Sequence, residues 1–216
     1  MAEFFYQDPY PIKQDKTEYR KISSDYVEVV KVGNREILNI DPKALEVLAQ
    51  EAMSDVSFYL RKTHLQMLNN ILQDPEATDN DRFVAYNLLQ NAVVAAEGQL
   101  PSCQDTGTAI VMAKKGEDCY TGIDDAEPLS KGIYNTYQER NLRFSQVVAL
   151  DMFDEKNSGS NLPAQIDIYA KKGASYEFLF LAKGGGSANK TFLYQQTKSL
   201  LNEASLEKFV REKIKD

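Results

Sequence analysis

The pattern of apolar residues changes period at Gly98, and this limits what the chain can fold into. Before Gly98 the apolar residues recur at helical spacing. Asp41-Pro42 supplies an N-cap and a first-turn proline, and Ala44, Leu45, Leu48, Ala52, Met53 and Val56 form one stripe after it. A second helix is predicted over 62–72 and is broken by Asp74-Pro75. A third is predicted over 79–97, carrying Phe83, Leu88, Val93 and Val94, with Gly98 as its stop. Ahead of these, 26–31 and 35–40 read as two short strands joined at Gly33-Asn34, a hairpin turn signal. After Gly98, short strands alternate with helices. Strands are predicted from Thr108 to Ala113, Ile166 to Tyr169 and Tyr176 to Ala182, and helices over 129–139 and 190–201. The fold class is therefore mixed α/β: an N-terminal helical block, then a mixed α/β block with a β-sheet and flanking helices. No low-complexity linker separates the blocks, so 1–216 reads as one domain, mainly helical to residue 98.

At 216 residues and 43% apolar content the chain can bury a core. A net charge of −7 and a pI near 4.9 argue against nucleic-acid and anionic-membrane partners. The N-terminus lacks the basic and apolar regions of a signal peptide, and no apolar run is long enough to span a bilayer. Two cysteines form no disulfide framework, so the sequence reads as a cytoplasmic protein with free thiols. Residues 1–20, aromatic and proline-containing, read as a surface arm. Residues 205–216 have helical spacing with no stop signal, which predicts a helix that continues past Asp216.

Three segments carry chemistry. The first is Ser102 to Gly107, where Cys103 is followed by Gln104 and Asp105. A nucleophilic thiol needs a base nearby, and the single histidine, His64, falls within a predicted helix as a surface residue. An iron–sulfur cluster needs roughly three or four thiolates and zinc needs about four ligands. Cys103 and Cys119 alone satisfy neither. The second is the glycine-rich stretch Ala182 to Thr191, between a strand and a helix, whose N–H groups favour an anion. Asn189 stands where a nucleotide-binding loop has glycine, so a carboxylate or phosphate suits it better. The third holds Arg140 and Arg143, a residue type suited to two-pronged carboxylate recognition. Asp124-Asp125 reads as a solvated loop, and Asn161 to Gln165 as a turn before a strand.

Residues 100–110, 134–137, 141–145, 161–167 and 182–191, with the helical block around Asp74-Pro75, resemble class I fumarate hydratases, the iron–sulfur hydro-lyases. The resemblance covers nearly the whole chain, and it implies that the protein is the first part of the N-terminal domain of a longer hydro-lyase. It implies a [4Fe–4S] cluster held by three cysteines, with one iron open to substrate. Cys103 matches the first of these, and Cys119 lies in a stretch that varies in the family. It also implies that Gln104 and Asp105 sit at the substrate, that Arg143 grips a substrate carboxylate, and that Gly186, Asn189, Lys190, Thr191 and Gln195 line the substrate. Asp105 would orient or tune the proton-transferring group. The implied activity is reversible hydration of fumarate to L-malate by a homodimer, with residues 1–216 inactive by themselves. A dehydratase of tartrate or mesaconate is a close alternative. A non-catalytic anion-binding module is an alternative of another class, motivated by the glycine-rich turn.

Overall fold

A computed structural model describes residues 3–8, 11, 18–186 and 191–215. The residues group into two compact units, up to Gly184 and from Gly185 onward.

In the first unit β1 (Val27–Val32) and β2 (Arg35–Ile40) form the expected antiparallel hairpin, with Val27 opposite Ile40 and Val32 opposite Arg35. A short strand β4 (Cys119–Tyr120) extends it in parallel, pairing Cys119 with Leu38. The main sheet has the order β7-β3-β8. Its central strand β3 (Thr108–Gly116) lies parallel to β7 (Gln165–Lys171) and antiparallel to β8 (Tyr176–Lys183). Strands β5 (Val147–Ala149) and β6 (Glu155–Asn157) form a separate ribbon.

Helices α1 (Pro42–Phe58) and α4 (Ala126–Glu139) cover one face of the main sheet. The Asp41 carboxylate caps α1 by accepting from the Lys43 amide at 2.8 Å. Leu45, Ala49 and Met53, four residues apart on α1, meet Leu129, Ile133 and Tyr137 of α4 above Ala109 and Val111 of β3. The two helices approach closely because Gly132 has no side chain: a Cβ there would sit 2.2 Å from the Glu46 carbonyl oxygen. Thr136 Oγ1 donates to the Gln50 carbonyl across the same seam at 2.9 Å.

Helices α2 (Lys62–Gln73) and α3 (Asp79–Ala96) form a pair beside this layer. Thr78 and Asp81 cap α3 reciprocally. The buried residues of α3 are Ala85 and Ala95, while Phe83, Leu88, Val93 and Val94 are exposed. His64 is exposed on α2, as the sequence predicts. Among the described residues no helix is long and apolar enough to cross a membrane.

The second unit ends in α5 (Glu203–Lys215). The helix predicted over 190–201 is not formed in its described part, 191–201. Residues 191–197 have no regular structure, and only a 3₁₀ turn, Lys198–Leu200, follows. Phe192 and Leu193 are exposed, and a helix without a packed face is marginal. Tyr194 instead lies edge-on to Phe209 of α5, ring centroids 5.6 Å apart, with the Lys213 ammonium over its ring.

Candidate active site

The segment containing Cys103 is held where helix ends and strand begins. The Ser102 amide donates to the carbonyl of Ser57, in the last turn of α1, at 2.8 Å. Asn91 of α3 donates its side-chain amide to the Ser102 carbonyl at 2.8 Å. The chain then passes Cys103 and Gln104, both exposed, and sinks through Asp105 to the buried Thr106 and Gly107 as β3 starts. Gly107 takes φ +65°, and a Cβ there would lie 2.2 Å from the Lys183 carbonyl oxygen at the end of β8. Gly184 fills the matching position on the other side. A Cβ on Gly184 would come within 2.8 Å of Asp105 Oδ2, so glycine lets the carboxylate lie over the main chain.

Arg143 enters from the segment after α4. Its Nη2 is 3.5 Å from Asp105 Oδ1, with the arginine side chain 59% exposed and the aspartate 25%. A pair that long, with its arginine more than half exposed, holds little by itself. The stronger ties are in the buried layer beneath. Thr106 Oγ1 donates to the Arg143 carbonyl at 2.5 Å. Asn161 is fully buried at φ +57°, a region asparagine enters more readily than most residues. Its Oδ1 accepts from the Ser145 and Gln146 amides at 2.7 and 2.9 Å, and its Nδ2 donates to the Gly107 carbonyl at 2.8 Å. Tyr137 Oη donates to the Thr106 carbonyl at 2.7 Å. Burial, with a smaller contribution from the Asp105 charge, pushes the Tyr137 phenol up to about 12, so it stays a neutral donor.

Asp105, Arg143 and Gly184 thus meet at one end of the main sheet, with Gln104 and Cys103 on the exposed segment directly before Asp105. Gly186, Thr191 and Gln195 belong to the second unit and are exposed there. Asn189 and Lys190 lie outside the described residues. Thr106, Tyr137 and Asn161 are not singled out by sequence reasoning. An Asn-Leu-Pro turn before a strand signals a change of direction, but nothing in its spacing tells that the amide turns inward. Arg140 stacks over the Phe58 ring, 5.4 Å from its centroid, and stands apart from the Asp105 pair.

The Asp124-Asp125 reading needs correction. Asp124 is exposed, but Asp125 is buried. Lys115 Nζ donates to Asp125 Oδ2 at 2.6 Å, Tyr176 Oη to the same oxygen at 2.9 Å, and Thr121 Oγ1 to Oδ1. Burial, then the hydrogen bond to Asp125, push the Tyr176 phenol well above its ordinary value. The cluster ties the start of α4 to β3 and β8, and a buried carboxylate with three donors is a structural tie.

Cys103 could serve as a ligand to a larger metal centre: its thiol is free and exposed, next to Ser102, whose amide and carbonyl are both held by hydrogen bonds. Cys119 does not share that environment. It is buried beside Leu38, ahead of the start of α1, whereas Cys103 follows the residue bonded to the end of α1. That helix is about 25 Å long. Among the described residues no three His, Cys, Asp or Glu side chains gather to hold a metal ion.

Comparison with known proteins bears on these residues. The model of the fumarate hydratase (Fumerase) family matches residues 46–216. The chain is 55% identical over 212 residues to "Fumarate hydratase class I, anaerobic" of Escherichia coli, covering 98% of this chain and 39% of that protein. It is 57% identical over 202 residues to "Fumarate hydratase 2" of Leishmania major, covering 93% and 36%. A more distant relative is the "Putative L(+)-tartrate dehydratase subunit alpha" of Methanocaldococcus jannaschii, 31% identical over 110 residues, 49% of this chain and 39% of that one. The chain therefore spans well under half the length of these relatives. The match of the family model across most of the chain shows that it belongs to the fumarate hydratase family.

Proposed function

We propose that residues 1–216 are the first part of the N-terminal domain of a longer hydro-lyase that interconverts fumarate and L-malate. The observation that carries this reading is an exposed thiol, Cys103, two residues before an aspartate paired with Arg143, in a chain of this family. Cys103 is one of three thiolates that hold a [4Fe–4S] cluster, the other two coming from chain beyond the present residues. When bound, the cluster supplies a Lewis-acidic iron for the hydroxyl that is added or removed. Arg143 receives a substrate carboxylate in two-pronged fashion. Adding hydroxide to a double bond beside that carboxylate drives negative charge onto it, and a cation already aimed there stabilises the charge. Asp105 keeps Arg143 oriented and tunes the group that carries the proton. Gln104, directly before Asp105 on the same segment, lines the substrate. The longer protein is a cytoplasmic homodimer.

The test uses the full-length protein purified without oxygen. About four irons per chain and fumarate consumption followed by its ultraviolet absorbance support the reading. Cys103→Ser abolishes both, while Cys119→Ser keeps both because that thiol is buried in β4 beside Leu38. Equal loss in the two variants overturns the ligand assignment. Iron-free protein that binds a dicarboxylate without turning it over makes this a binding module. The 31% relative gives a second reading, dehydration of tartrate. Faster turnover of L-tartrate than of malate selects it, since a few pocket contacts separate such acids.

A further inference from the structure

Arg143 and the segment 103–107 come from distant parts of the chain, and their direct contact is a long ion pair at 3.5 Å. Their relative position is set underneath. Thr106 reaches across to the Arg143 carbonyl, Asn161 joins the Gly107 carbonyl to the amides of Ser145 and Gln146, and Tyr137 steadies the Thr106 carbonyl from α4. Thr106 is 6% exposed, Tyr137 1% and Asn161 0%. Buried hydrogen bonds with every partner in place hold position far more firmly than a long ion pair to a mostly exposed arginine. These three also hold main-chain atoms, so they fix where the functional side chains begin without occupying the space a substrate needs.

We propose that Thr106, Tyr137 and Asn161 are positioning residues that set the distance between the arginine for the substrate carboxylate and the Cys103–Asp105 segment, and so tune affinity for a short dicarboxylate. This rests on the reading of Arg143 given above. Thr106 does the aiming, because its hydroxyl bonds to the very residue that carries the guanidinium. Asn161 keeps Ser145 and Gln146, two and three residues after Arg143, from sliding along the start of β3. Tyr137 keeps Thr106 from rotating away.

The experiment is a double-mutant cycle in the full-length protein, prepared without oxygen and normalised to bound iron. Thr106→Val keeps the shape of the side chain and removes the hydroxyl. It raises KM for fumarate about three- to tenfold, the range for losing one hydrogen bond that positions a binding group, and kcat per iron changes far less. Thr106→Ser restores KM. In an Arg143→Gln background Thr106→Val adds nothing further, because the group it aims is gone. A purely structural role would lower iron content or active fraction and leave KM alone. An unchanged KM in Thr106→Val at normal iron content overturns the proposal, as does full additivity with Arg143→Gln. Should Thr106→Val fail to accumulate, Tyr137→Phe runs the same cycle with the same expected and overturning outcomes. A wild-type protein that turns over no fumarate refutes the reading of the reaction instead, and the cycle is then read on Kd for fumarate measured by calorimetry.

Discussion

Gly107 sits where two stretches of main chain leave no room for a side chain. Its φ of +65° costs other residues roughly 1 kcal/mol, and a Cβ would strike the Lys183 carbonyl at 2.2 Å and the Gly184 nitrogen at 2.7 Å. The obstacle is backbone at the end of β8, so no rotamer relieves it. Gly107→Ala is expected to lower unfolding free energy by about 2–4 kcal/mol, the sum of backbone strain and overpacking, read by urea denaturation. A loss below about 0.5 kcal/mol, the usual range for an exposed site, would show that the strand end yields. The contrast with Asn161 shows what a sequence makes legible at this scale. A glycine beside Cys-Gln-Asp-Thr announces a constrained turn. Asn161 is as constrained, yet its role depends on acceptors and donors at residues 107, 145 and 146, which only the folded chain brings together.

Between elements, the seam of α1 and α4 is closed by Glu46. This carboxylate is 7% exposed and pairs with Lys43 of its own helix at 2.8 Å and with Lys131 of α4 at 3.1 Å, while Asn135 donates to it at 3.1 Å. The Lys43 hydrogen bond first, against the opposing effect of burial and with help from Lys131, holds its carboxyl below the ordinary glutamate value. A carboxyl lowered on folding stabilises the fold above its unfolded value and loses that contribution as pH falls through the folded one. The advantage of wild type over Glu46→Gln is therefore expected at neutral pH and fades below about pH 4.3, the free glutamate value. Thermal unfolding of both proteins across acid pH checks this, and a gap that widened in acid would contradict it. Glu46 could not be picked from the sequence, since it sits between the apolar positions of α1 and reads as a surface charge. The helix itself was legible, because Asp41-Pro42 and the spacing of Leu45 and Met53 are local signals. The helix expected over 190–201 failed for the complementary reason. Its apolar residues pair along the segment and with α5, and Tyr194 meets Phe209 and Lys213 from a stretch with no helical turn.

At the scale of the whole molecule the question is whether these residues can close a metal centre by themselves. The chain has two cysteines: Cys103 is exposed just after the residue bonded to the last turn of α1, and Cys119 is buried in β4 beside Leu38 of β2. Cys103 can therefore offer a cluster one thiolate where roughly three or four are required. The 216-residue chain, given iron and sulfide without oxygen, is expected to retain no stoichiometric iron and to hydrate no fumarate, whereas the longer hydro-lyase proposed above is expected to retain about four irons per chain. Failure to load is informative only if the Cys103 segment keeps its shape. The contacts from Ser57, Asn91, Tyr137 and Asn161 all lie within these residues and involve no metal, so the segment should stand without one. The two thiols report this. Cys103 is exposed and should react with a maleimide at the rate of an open thiol. Cys119 is buried, and burial raises its pKa, so it should react far more slowly until the chain is unfolded. One fast and one slow thiol with no iron bound would locate the deficit in the missing ligands. Two fast thiols would locate it in an unfolded chain, and about four irons retained with activity would place the whole cluster seat inside residues 1–216.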